Sequence, residues 1–307
     1  MSVLITGSRG MLGSSILAQA KRFGLDVLHP LKAELDLRHE AQIEEYFRTH
    51  EIHSIIHCAA KVGGISDNIE KPADYILENL KIDSNILSTA RKWQVKNLIY
   101  FGSSCMYPRD FRQPLVESDL LGGPLEPTNE SYALAKISAA RAVTSTALQD
   151  GLIWRVLIPS NLYGPGDNFN PVSSHLVASI ISKVLEAKEK GLTDLEIWGD
   201  GKARREFTYV EDIAEFIVKN IGEISNWELM MNIGAGIDYS VREYYEKVCK
   251  VLKLDLNFTF DLSKPTGMKQ KLMCSSVARN NGWNPSTNLD DGLLKTITWK
   301  NLVALNG

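Results

Sequence analysis

Residues 3–13, VLITGSRGMLG, decide the fold class of this 307-residue chain. The first four residues form an apolar run typical of a buried β-strand, and glycines follow at positions 7, 10 and 13. In a dinucleotide-binding unit, Gly7, Gly10 and Gly13 would allow a tight turn, a close backbone approach to a pyrophosphate, and close packing of helix on strand. The same spacing also occurs in ordinary tight turns, so the prediction depends on the strand before it and the helix after it.

Segments typical of strands and of helices alternate from this loop to about residue 160. Strands are predicted at VLITG (3–7), DVLHP (26–30), SIIHCAA (54–60), NLIYFGSS (97–104) and IWRVLIP (153–159), and helices at 11–23, 40–50, 72–93 and 129–148, with Asn129 as the N-cap of the last. Apolar strands separated by helices predict an α/β fold, a Rossmann-type doubly wound parallel sheet covered on both faces.

The regular alternation fades after residue 160. A loop, NLYGPGDNFNP, precedes a predicted helix from about Val172 to Lys190, a strand LEIWG, and helices in YVEDIAEFIVKNI and SVREYYEKVCKVLK, the last with a capping box from Ser240 to Glu243. We therefore expect a dinucleotide-binding domain at residues 1–160, to which some later segments return. A smaller α/β substrate-binding lobe is expected at residues 161–307.

Composition limits the class of partner. The net charge of −3 gives no basic field for nucleic acid, and the longest apolar runs fall short of the roughly 20 residues that span a bilayer. Residues 1–10 lack a signal-peptide pattern. The four cysteines, at positions 58, 105, 249 and 274, have neither metal-ligand nor disulfide spacing. We expect a cytoplasmic protein that binds no metal, membrane or nucleic acid.

The cofactor prediction depends on residues 28–38. In NAD-binding sites an acidic residue usually ends the second strand and binds the ribose 2′-hydroxyl, whereas this strand ends LHPLK. Arg9 in the glycine loop and Lys32 after the strand are suited to clamp a 2′-phosphate, which favours NADP(H). Lys32 is equally compatible with a solvated surface lysine. Asp36 stands where a contact with adenine is expected.

A candidate catalytic group lies in SYALAK. Tyr132 and Lys136 are four residues apart on a predicted helix and so share one face. An ammonium near a phenol lowers the pKa of the phenol, and such a tyrosine can exchange a proton with a carbonyl oxygen while hydride moves. Ser103 or Ser104, at the end of the fourth strand, is placed to hydrogen-bond the same oxygen.

With these residues the chain resembles the extended short-chain dehydrogenase/reductase superfamily, and within it the GDP-L-fucose synthase family. The resemblance rests on AAKVGGI, GSSCMYP, LEPTNESYALAK, NLYGPGDNF, the histidine of SSHL, and REFTYVEDIA, in that order, and covers nearly the whole chain. It implies an enzyme that uses NADPH to epimerise C3 and C5 and to reduce C4 of a GDP-4-keto-6-deoxy-D-mannose-like sugar. The expected product is GDP-L-fucose or a close GDP-L-sugar.

The resemblance also implies roles for individual residues. A C4 ketone acidifies the hydrogens on C3 and C5, and Cys105 and His175 would exchange those protons. The catalytic set is then Ser103, Cys105, Tyr132, Lys136 and His175. The cofactor would contact Gly7, Ser8, Arg9, Gly10, Met11, Leu12, Gly13, Lys32, Asp36, Ala59, Ala60, Tyr132, Lys136, Pro159, Asn161, Leu162 and His175. The substrate would contact Ser103, Ser104, Cys105, Asn161, Val177, Lys183, Trp198, Arg205 and Lys264.

Alternatives stay open at this stage. Cys105 is compatible with inert packing and His175 with a helix-capping or surface role. Departures from the family pattern occur at Lys183, where the family commonly has Arg, and in GMKQKLMC, where Gln270 replaces Arg and Cys274 replaces Asp. A single-function 4-reductase or epimerase, or a non-catalytic NADP-binding regulator, fits the same fold.

The superfamily resemblance further implies a homodimer. Its members usually pair through a four-helix interface made by the helix at 72–93 and the helix that carries Tyr132. Ile76, Leu80 and Ile86 would be buried in that interface, or would pack only within the monomer.

Overall fold

The structure is a computed structural model that describes residues 2–170, 173–264 and 267–306. Its strands are β1 (Val3–Thr6), β2 (Val27–Leu28), β3 (Ser54–His57), β4 (Asn97–Phe101), β5 (Ile153–Pro159), β6 (Asn161–Tyr163), β7 (Asp194–Trp198), β8 (Arg204–Tyr209), β9 (Met230–Ile233), β10 (Asp238–Ser240), β11 (Asn257–Asp261) and β12 (Gln270–Lys271). Its helices are α1 (Met11–Arg22), α2 (Glu40–Thr49), α3 (Ile65–Glu70), α4 (Pro72–Lys92), α5 (Glu130–Asp150), α6 (Leu176–Lys190), α7 (Val210–Asn220), α8 (Val241–Leu252), α9 (Ser276–Asn280) and α10 (Leu289–Asn306).

The main sheet is parallel throughout, in the order β2-β1-β3-β4-β5-β9. The chain moves outward from β1 to β2 and then crosses back to pair β3 with the other side of β1. This reversal opens a crevice at the carboxyl ends of β1 and β3, where ligands bind in open α/β sheets. The predicted Rossmann-type doubly wound sheet is confirmed.

The apolar run in each central strand follows from helices on both faces of the sheet. Leu4 packs into one apolar cluster with residues of α2, α4 and α5, whereas its neighbours Val3 and Ile5 pack into a second cluster with residues of α1 and α7. Each fully buried side chain of this size stabilises the fold by roughly 1.5–3 kcal/mol. Most residues at the strand centres are therefore apolar, and the buried exceptions Arg155 on β5 and Asn232 on β9 are hydrogen-bonded.

A second, smaller body packs around a third apolar cluster formed by α6, α8, α10, β7 and β8, and we call it the small lobe. In it β8 pairs with β10, β12 and β6, and β11 pairs with β7. The chain returns from this region to the main sheet as β9, which lies beside β5. The expected boundary at residue 160 stays a prediction.

Several element ends differ from those predicted. The fourth strand ends at Phe101 instead of Ser104, because Ser104–Met106 turn into a short 3₁₀ helix capped by the Ser103 side chain. Helix α6 begins at Leu176, after His175 at the N-cap, and the expected start at Val172 lies outside the described residues. The capping box from Ser240 to Glu243 is confirmed, with reciprocal hydrogen bonds of 3.1 and 2.6 Å.

In the described part of the chain, none of the helices is both long and apolar enough to cross a membrane.

Candidate active site

A cavity of about 890 Å3 follows the crevice from the glycine loop to the small lobe. Nearly all of the predicted site residues line it: Gly7, Ser8, Arg9, Gly10, Met11, Leu12, Gly13, Lys32, Asp36, Ala59, Ala60, Ser103, Ser104, Cys105, Tyr132, Lys136, Pro159, Asn161, Leu162, His175, Lys183, Trp198 and Arg205. Val177 and Lys264 do not. The side chain of Val177 is fully buried in the small-lobe cluster, and the Nζ of Lys264 lies 5.5 Å from the centroid of the Trp198 indole.

The glycine loop is a close-fitting cradle at one end of the cavity. Gly7 has a φ of +66°, and a Cβ there would lie 2.7 Å from the backbone nitrogen of Ala59. A Cβ on Gly13 would lie 2.2 Å from the carbonyl oxygen of Gly7. Side chains are thus excluded, and the backbone N–H groups at the start of α1 remain available to a pyrophosphate. This cradle fits a dinucleotide.

The adenosine end carries one charged pair that the sequence analysis missed. Arg38 donates to both carboxylate oxygens of Asp36, at 3.0 Å from Nε to Oδ1 and 2.5 Å from Nη2 to Oδ2. The hydrogen bond from Arg38 holds the pKa of Asp36 well below its usual range, despite partial burial. Arg38 lines the cavity beside Lys32, so this end holds two cations in addition to Arg9.

The residues predicted for proton transfer to a carbonyl lie together at the carboxyl ends of the sheet strands. Ser103 follows β4, and its side chain lies near that of Tyr132 on the first turn of α5. Lys136, one turn further along, is almost fully buried, with its Nζ 4.3 Å from the ring centroid of Tyr100. Burial raises the pKa of Tyr132 far above its ordinary value, outweighing the opposite effect of Ser103. The expected lowering of this pKa by Lys136 is therefore wrong for the structure described.

Cys105 has two polar neighbours that come from distant parts of the chain. The Nδ2 of Asn129 donates to the Cys105 Sγ at 3.2 Å, and the Lys271 Nζ lies 3.8 Å from the same sulfur. Asn129 occupies the N-cap position of α5 as predicted, but its side chain makes no capping hydrogen bond because it turns to the thiol. Its Oδ1 is buried and has no hydrogen-bond partner among the described residues.

His175 approaches the same region from the start of α6. Its side chain is exposed to the open cavity and is otherwise enclosed by protein. Desolvation lowers the pKa of His175, and the positive charge of Lys271 lowers it further. Lys271, on β12, is thus near both proton-exchanging residues proposed from the sequence.

The opposite end of the cavity belongs to the small lobe. The indole of Trp198 is 46% exposed, and the Nζ of Lys183 lies 4.9 Å from its centroid. Arg205, on β8, is half-buried in the cavity wall, and burial lowers the pKa of its guanidinium. An aromatic face with cations around it suits a base and a pyrophosphate.

Comparison with known proteins assigns the chain to a family. Residues 3–234 match the NAD dependent epimerase/dehydratase family. The chain belongs to this family. Among curated relatives, the GDP-L-colitose synthase of Yersinia pseudotuberculosis is 40% identical over 297 residues, covering 96% of each chain. The GDP-L-fucose synthase of Azorhizobium caulinodans is also 40% identical, over 96% of this chain and 94% of its own.

Solved structures agree with the family assignment. The GDP-mannoheptose C4 reductase of Campylobacter jejuni, solved with NADP bound, superposes with a TM-score of 0.88 at 27% identity, over 98% of each chain. The fold of this chain is therefore shared with a protein whose structure contains NADP.

Three residues of this family member were not singled out for the site in the sequence analysis: Arg38, Asn129 and Lys271. Arg38 stands two residues after Asp36, and that short spacing was a usable signal. Lys271 lies 166 residues from Cys105, in a segment where the analysis noted only the departures at Gln270 and Cys274. Gln270 donates to Asp238, and Cys274 lies beside Ser276, so neither contacts the cavity.

The described residues contain no cluster of three or more His, Cys, Asp or Glu side chains that would hold a metal ion.

Proposed function

We propose that this chain uses NADPH to convert GDP-4-keto-6-deoxy-D-mannose into GDP-L-fucose or a close GDP-L-sugar. The reaction inverts C3 and C5 of the sugar and reduces the ketone at C4. The observation that carries the proposal is that Cys105 and His175 line the same cavity as Ser103, Tyr132 and Lys136. Relatives named as synthases of GDP-L-fucose and GDP-L-colitose support it.

The cofactor is NADP(H), bound along the glycine cradle. When bound, its nicotinamide supplies the hydride that reduces C4. Arg9 and Lys32 line the cavity at the adenosine end and bind the 2′-phosphate. The pyrophosphate lies at the N-terminus of α1, where backbone N–H groups and the helix dipole favour negative charge.

Reduction needs a proton donor at the C4 oxygen. Because burial raises the pKa of Tyr132, the phenol is protonated near neutral pH, which is the state required to donate. The Ser103 hydroxyl lies near the phenol and would hydrogen-bond the same C4 oxygen, which aligns the ketone for protonation. The ammonium of Lys136 stabilises negative charge as it develops on the phenolate.

Epimerisation needs proton removal and return at C3 and C5. The neutral C4 ketone acidifies both positions, and Ser103 and Tyr132 stabilise the enolate oxygen by hydrogen bonding. The lowered pKa of His175 leaves its imidazole neutral and able to accept a proton near neutral pH. The thiol of Cys105 is the second proton-exchanging group, and Asn129 and Lys271 contact its sulfur.

The nucleotide end of the substrate binds in the small lobe. Trp198 stacks on the base, and Arg205 and Lys183 bind the pyrophosphate. Asn161, at the start of β6, and Ser104 line the cavity between this end and the nicotinamide end, where the sugar lies. Val177 and Lys264 contribute by supporting the wall and Trp198 respectively.

A second candidate is C4 reduction without inversion. It is favoured by the structural likeness to a GDP-mannoheptose C4 reductase. A non-catalytic regulator is a weaker proposal, because such a protein has no need of the Ser103, Tyr132 and Lys136 group.

The protein acts as a homodimer in the cytoplasm, paired through α4 and α5. Exposed leucines on these helices support this proposal, with Leu77 65% and Leu148 73% exposed. Ile76 and Leu80 are half-buried and available to an interface. Ile86 is fully buried in the monomer core, so its predicted place in the interface is wrong.

The deciding experiment is product analysis. The protein is incubated with NADPH and GDP-4-keto-6-deoxymannose in deuterated water, and the product is identified by NMR. We expect GDP-L-fucose carrying deuterium at C3 and C5. A reduced sugar of unchanged configuration without deuterium would support the second candidate, and no turnover would refute both.

A further inference from the structure

A chain of buried polar side chains lies beneath the cavity and has no part in the chemistry described so far. Thr6 Oγ1 lies 2.7 Å from the Nδ1 of His57, and the Nε2 of His57 lies 3.0 Å from Asp83 Oδ1. The hydroxyl of Tyr100 donates to Asp83 Oδ2 at 2.8 Å. The Lys136 ammonium, in turn, stands over the face of the Tyr100 ring. The chain thus connects the end of β1 to the lysine of the active site.

Asp83, on α4, is a carboxylate in the protein interior. It is 1% exposed, and His57 and Tyr100 beside it are equally buried. An isolated charge in the interior is strongly destabilising, and buried charges are therefore found paired. Burial would raise the pKa of Asp83, but Lys136, His57 and Tyr100 together hold it below the ordinary value. Asp83 is therefore an anion in the folded protein.

Besides Lys136 and Asp83, the titratable groups of this buried region are His57, Cys58, Tyr100 and Tyr132. Burial raises the pKa of the Cys58 thiol and that of the Tyr100 phenol far above neutrality, and the same holds for Tyr132. The Nε2 of His57 hydrogen-bonds Asp83, and its Nδ1 hydrogen-bonds Thr6 Oγ1, an oxygen that also accepts from the Ala59 N–H.

Lys136, for its part, is a buried cation that requires a negative counter-charge. Burial lowers the pKa of its ammonium, and the charge of Asp83 is the main effect that opposes this. Cys58 would oppose it too, but only as a thiolate. An ammonium over an aromatic face gains cation–π attraction, although this is smaller than the cost of leaving it without a counter-charge.

We propose that Asp83 is a positioning residue for the catalytic lysine: its carboxylate, acting across Tyr100, is the counter-charge that keeps Lys136 protonated and aligned under Tyr132. The proposal deepens the proposed function and rests on it for the activity measurement described next. The second measurement below does not depend on substrate.

The first test is the pH profile of Asp83→Asn, which keeps the shape of the side chain and removes its charge. Without the anion, Lys136 loses its proton more readily, so the basic limb of kcat/KM for NADPH oxidation should move to lower pH. Removing the opposite charge that acts on a buried group typically shifts such a limb by about one pH unit or more. A merely structural role would lower the rate at all pH values and leave the limb in place.

Asp119→Asn is the matched control. Asp119 is also a buried carboxylate, 4% exposed, but it pairs with Arg112 and does not line the cavity. This variant should keep the native basic limb. An unmoved limb in folded Asp83→Asn, or an equal shift in Asp119→Asn, would overturn the proposal.

The second test is a double-mutant cycle on thermal stability, measured on the full chain without substrate. Asp83→Asn and Lys136→Met each leave one buried charge uncompensated, whereas the double variant removes both charges. The double variant should therefore lose less stability than the sum of the single losses. Additive losses would overturn the proposal.

The cycle also covers failure to fold. If Asp83→Asn alone does not fold but Asp83→Asn/Lys136→Met does, the pairing is supported. If Lys136→Met folds and both variants that carry Asp83→Asn do not, Asp83 serves the structure in another way and the proposal fails. If the native protein shows no reduction of the sugar, the proposed function fails, and the cycle still decides the pairing.

Discussion

Two regions of one cavity are built in different ways. The reduction region, Ser103, Tyr132 and Lys136, lies within 34 positions of sequence, just after β4 and on α5, and its lysine stands over a ring of a buried polar chain. The epimerisation region combines Cys105 and Asn129, from the same stretch of sequence, with His175 at the start of α6 and Lys271 on β12. It faces the open cavity.

The difference shows what each chemistry requires. Proton donation to a ketone needs one phenol kept protonated, and desolvation by a rigid helix and sheet achieves this. Proton exchange at two carbons needs groups that change protonation state in both directions, and these are found where the two lobes meet. The two activities should therefore be separable by single substitutions.

The largest effect is expected from a substitution in the reduction region. Tyr132→Phe removes the donor at the C4 oxygen, so NADPH oxidation should fall by roughly 10²- to 10⁴-fold. Deuterium exchange at C3 and C5 should persist at a reduced rate, because it needs only a stabilised enolate. Parallel NMR and absorbance assays measure both. Equal loss of NADPH oxidation and deuterium exchange would show that the two regions do not act separately.

The reverse separation is expected from Cys105→Ser and His175→Asn. A hydroxyl is a far poorer base than a thiolate, so exchange should fall by about 10²-fold or more while hydride transfer to the unepimerised ketone continues. Cys249→Ser, in the small-lobe core, is the control and should exchange normally. If Cys105→Ser exchanges at the native rate, Cys105 only packs.

The proposed contact of Arg9 with the cofactor serves only the reduction. Arg9→Ala should weaken NADPH binding by about 10- to 100-fold and NADH binding little, since a charged hydrogen bond contributes about 1.5–3 kcal/mol. Fluorescence titration of both cofactors measures this. Arg22→Ala, at the other end of α1, should change neither. Equal affinities for the two cofactors in the native protein would contradict the 2′-phosphate assignment.

Lys271 tests whether the epimerisation region acts as a unit. Lys271→Met removes the ammonium beside the Cys105 sulfur, and exchange should slow by about tenfold because anionic sulfur loses a stabilising charge. Reduction should be less affected. Lys269→Met, two residues away and exposed, is the matched control. The idea fails if both variants exchange alike.

The smallest effect concerns the frame of the epimerisation region. Glu206 on β8 accepts from the backbone N–H groups of Gly236 and Met273, and burial raises its pKa to about 7. Because the folded state holds this proton more tightly than the unfolded state, the stability it gives is complete below about pH 4.5 and is lost as pH rises through about 7.

Denaturant unfolding at several pH values measures this linkage. Glu206→Gln should reduce the fall in unfolding free energy between about pH 5 and 8 by at most about 3 kcal/mol. Glu45→Gln, at an exposed salt bridge on α2, should leave the slope unchanged. An unchanged slope in Glu206→Gln would show that Glu206 is not the titrating group.

The sequence predicted the Rossmann half well because its signals are local. Residues 153–159 form β5 as predicted, and α1, α2 and α4 end within one residue of the expected positions. The small strands β8 to β12 were missed. In β8, RREFTY carries three charges and is stabilised by pairing with segments distant in the sequence, which no local pattern reveals.

The site residues, too, were predicted where the sequence signal is local. The glycine cradle and the Tyr132 helix are contiguous motifs and were found. Asn129 was predicted only as an N-cap, because asparagine at the start of a helix commonly has that role. In the structure its side chain instead hydrogen-bonds the Cys105 sulfur, 24 residues away. A contact between side chains that are separated in sequence and belong to no contiguous motif needs coordinates.

The return of β9 to the main sheet has a practical consequence for anyone dividing the chain. A fragment cut at residue 160 would end just after β5 and lose the strand that pairs with Val156–Pro159. An apolar strand would then become a sheet edge, with its unpaired N–H and C=O groups open to another copy. Such a fragment should aggregate on expression, and a cofactor-binding piece would have to be assembled by joining residue 160 to a segment that includes β9.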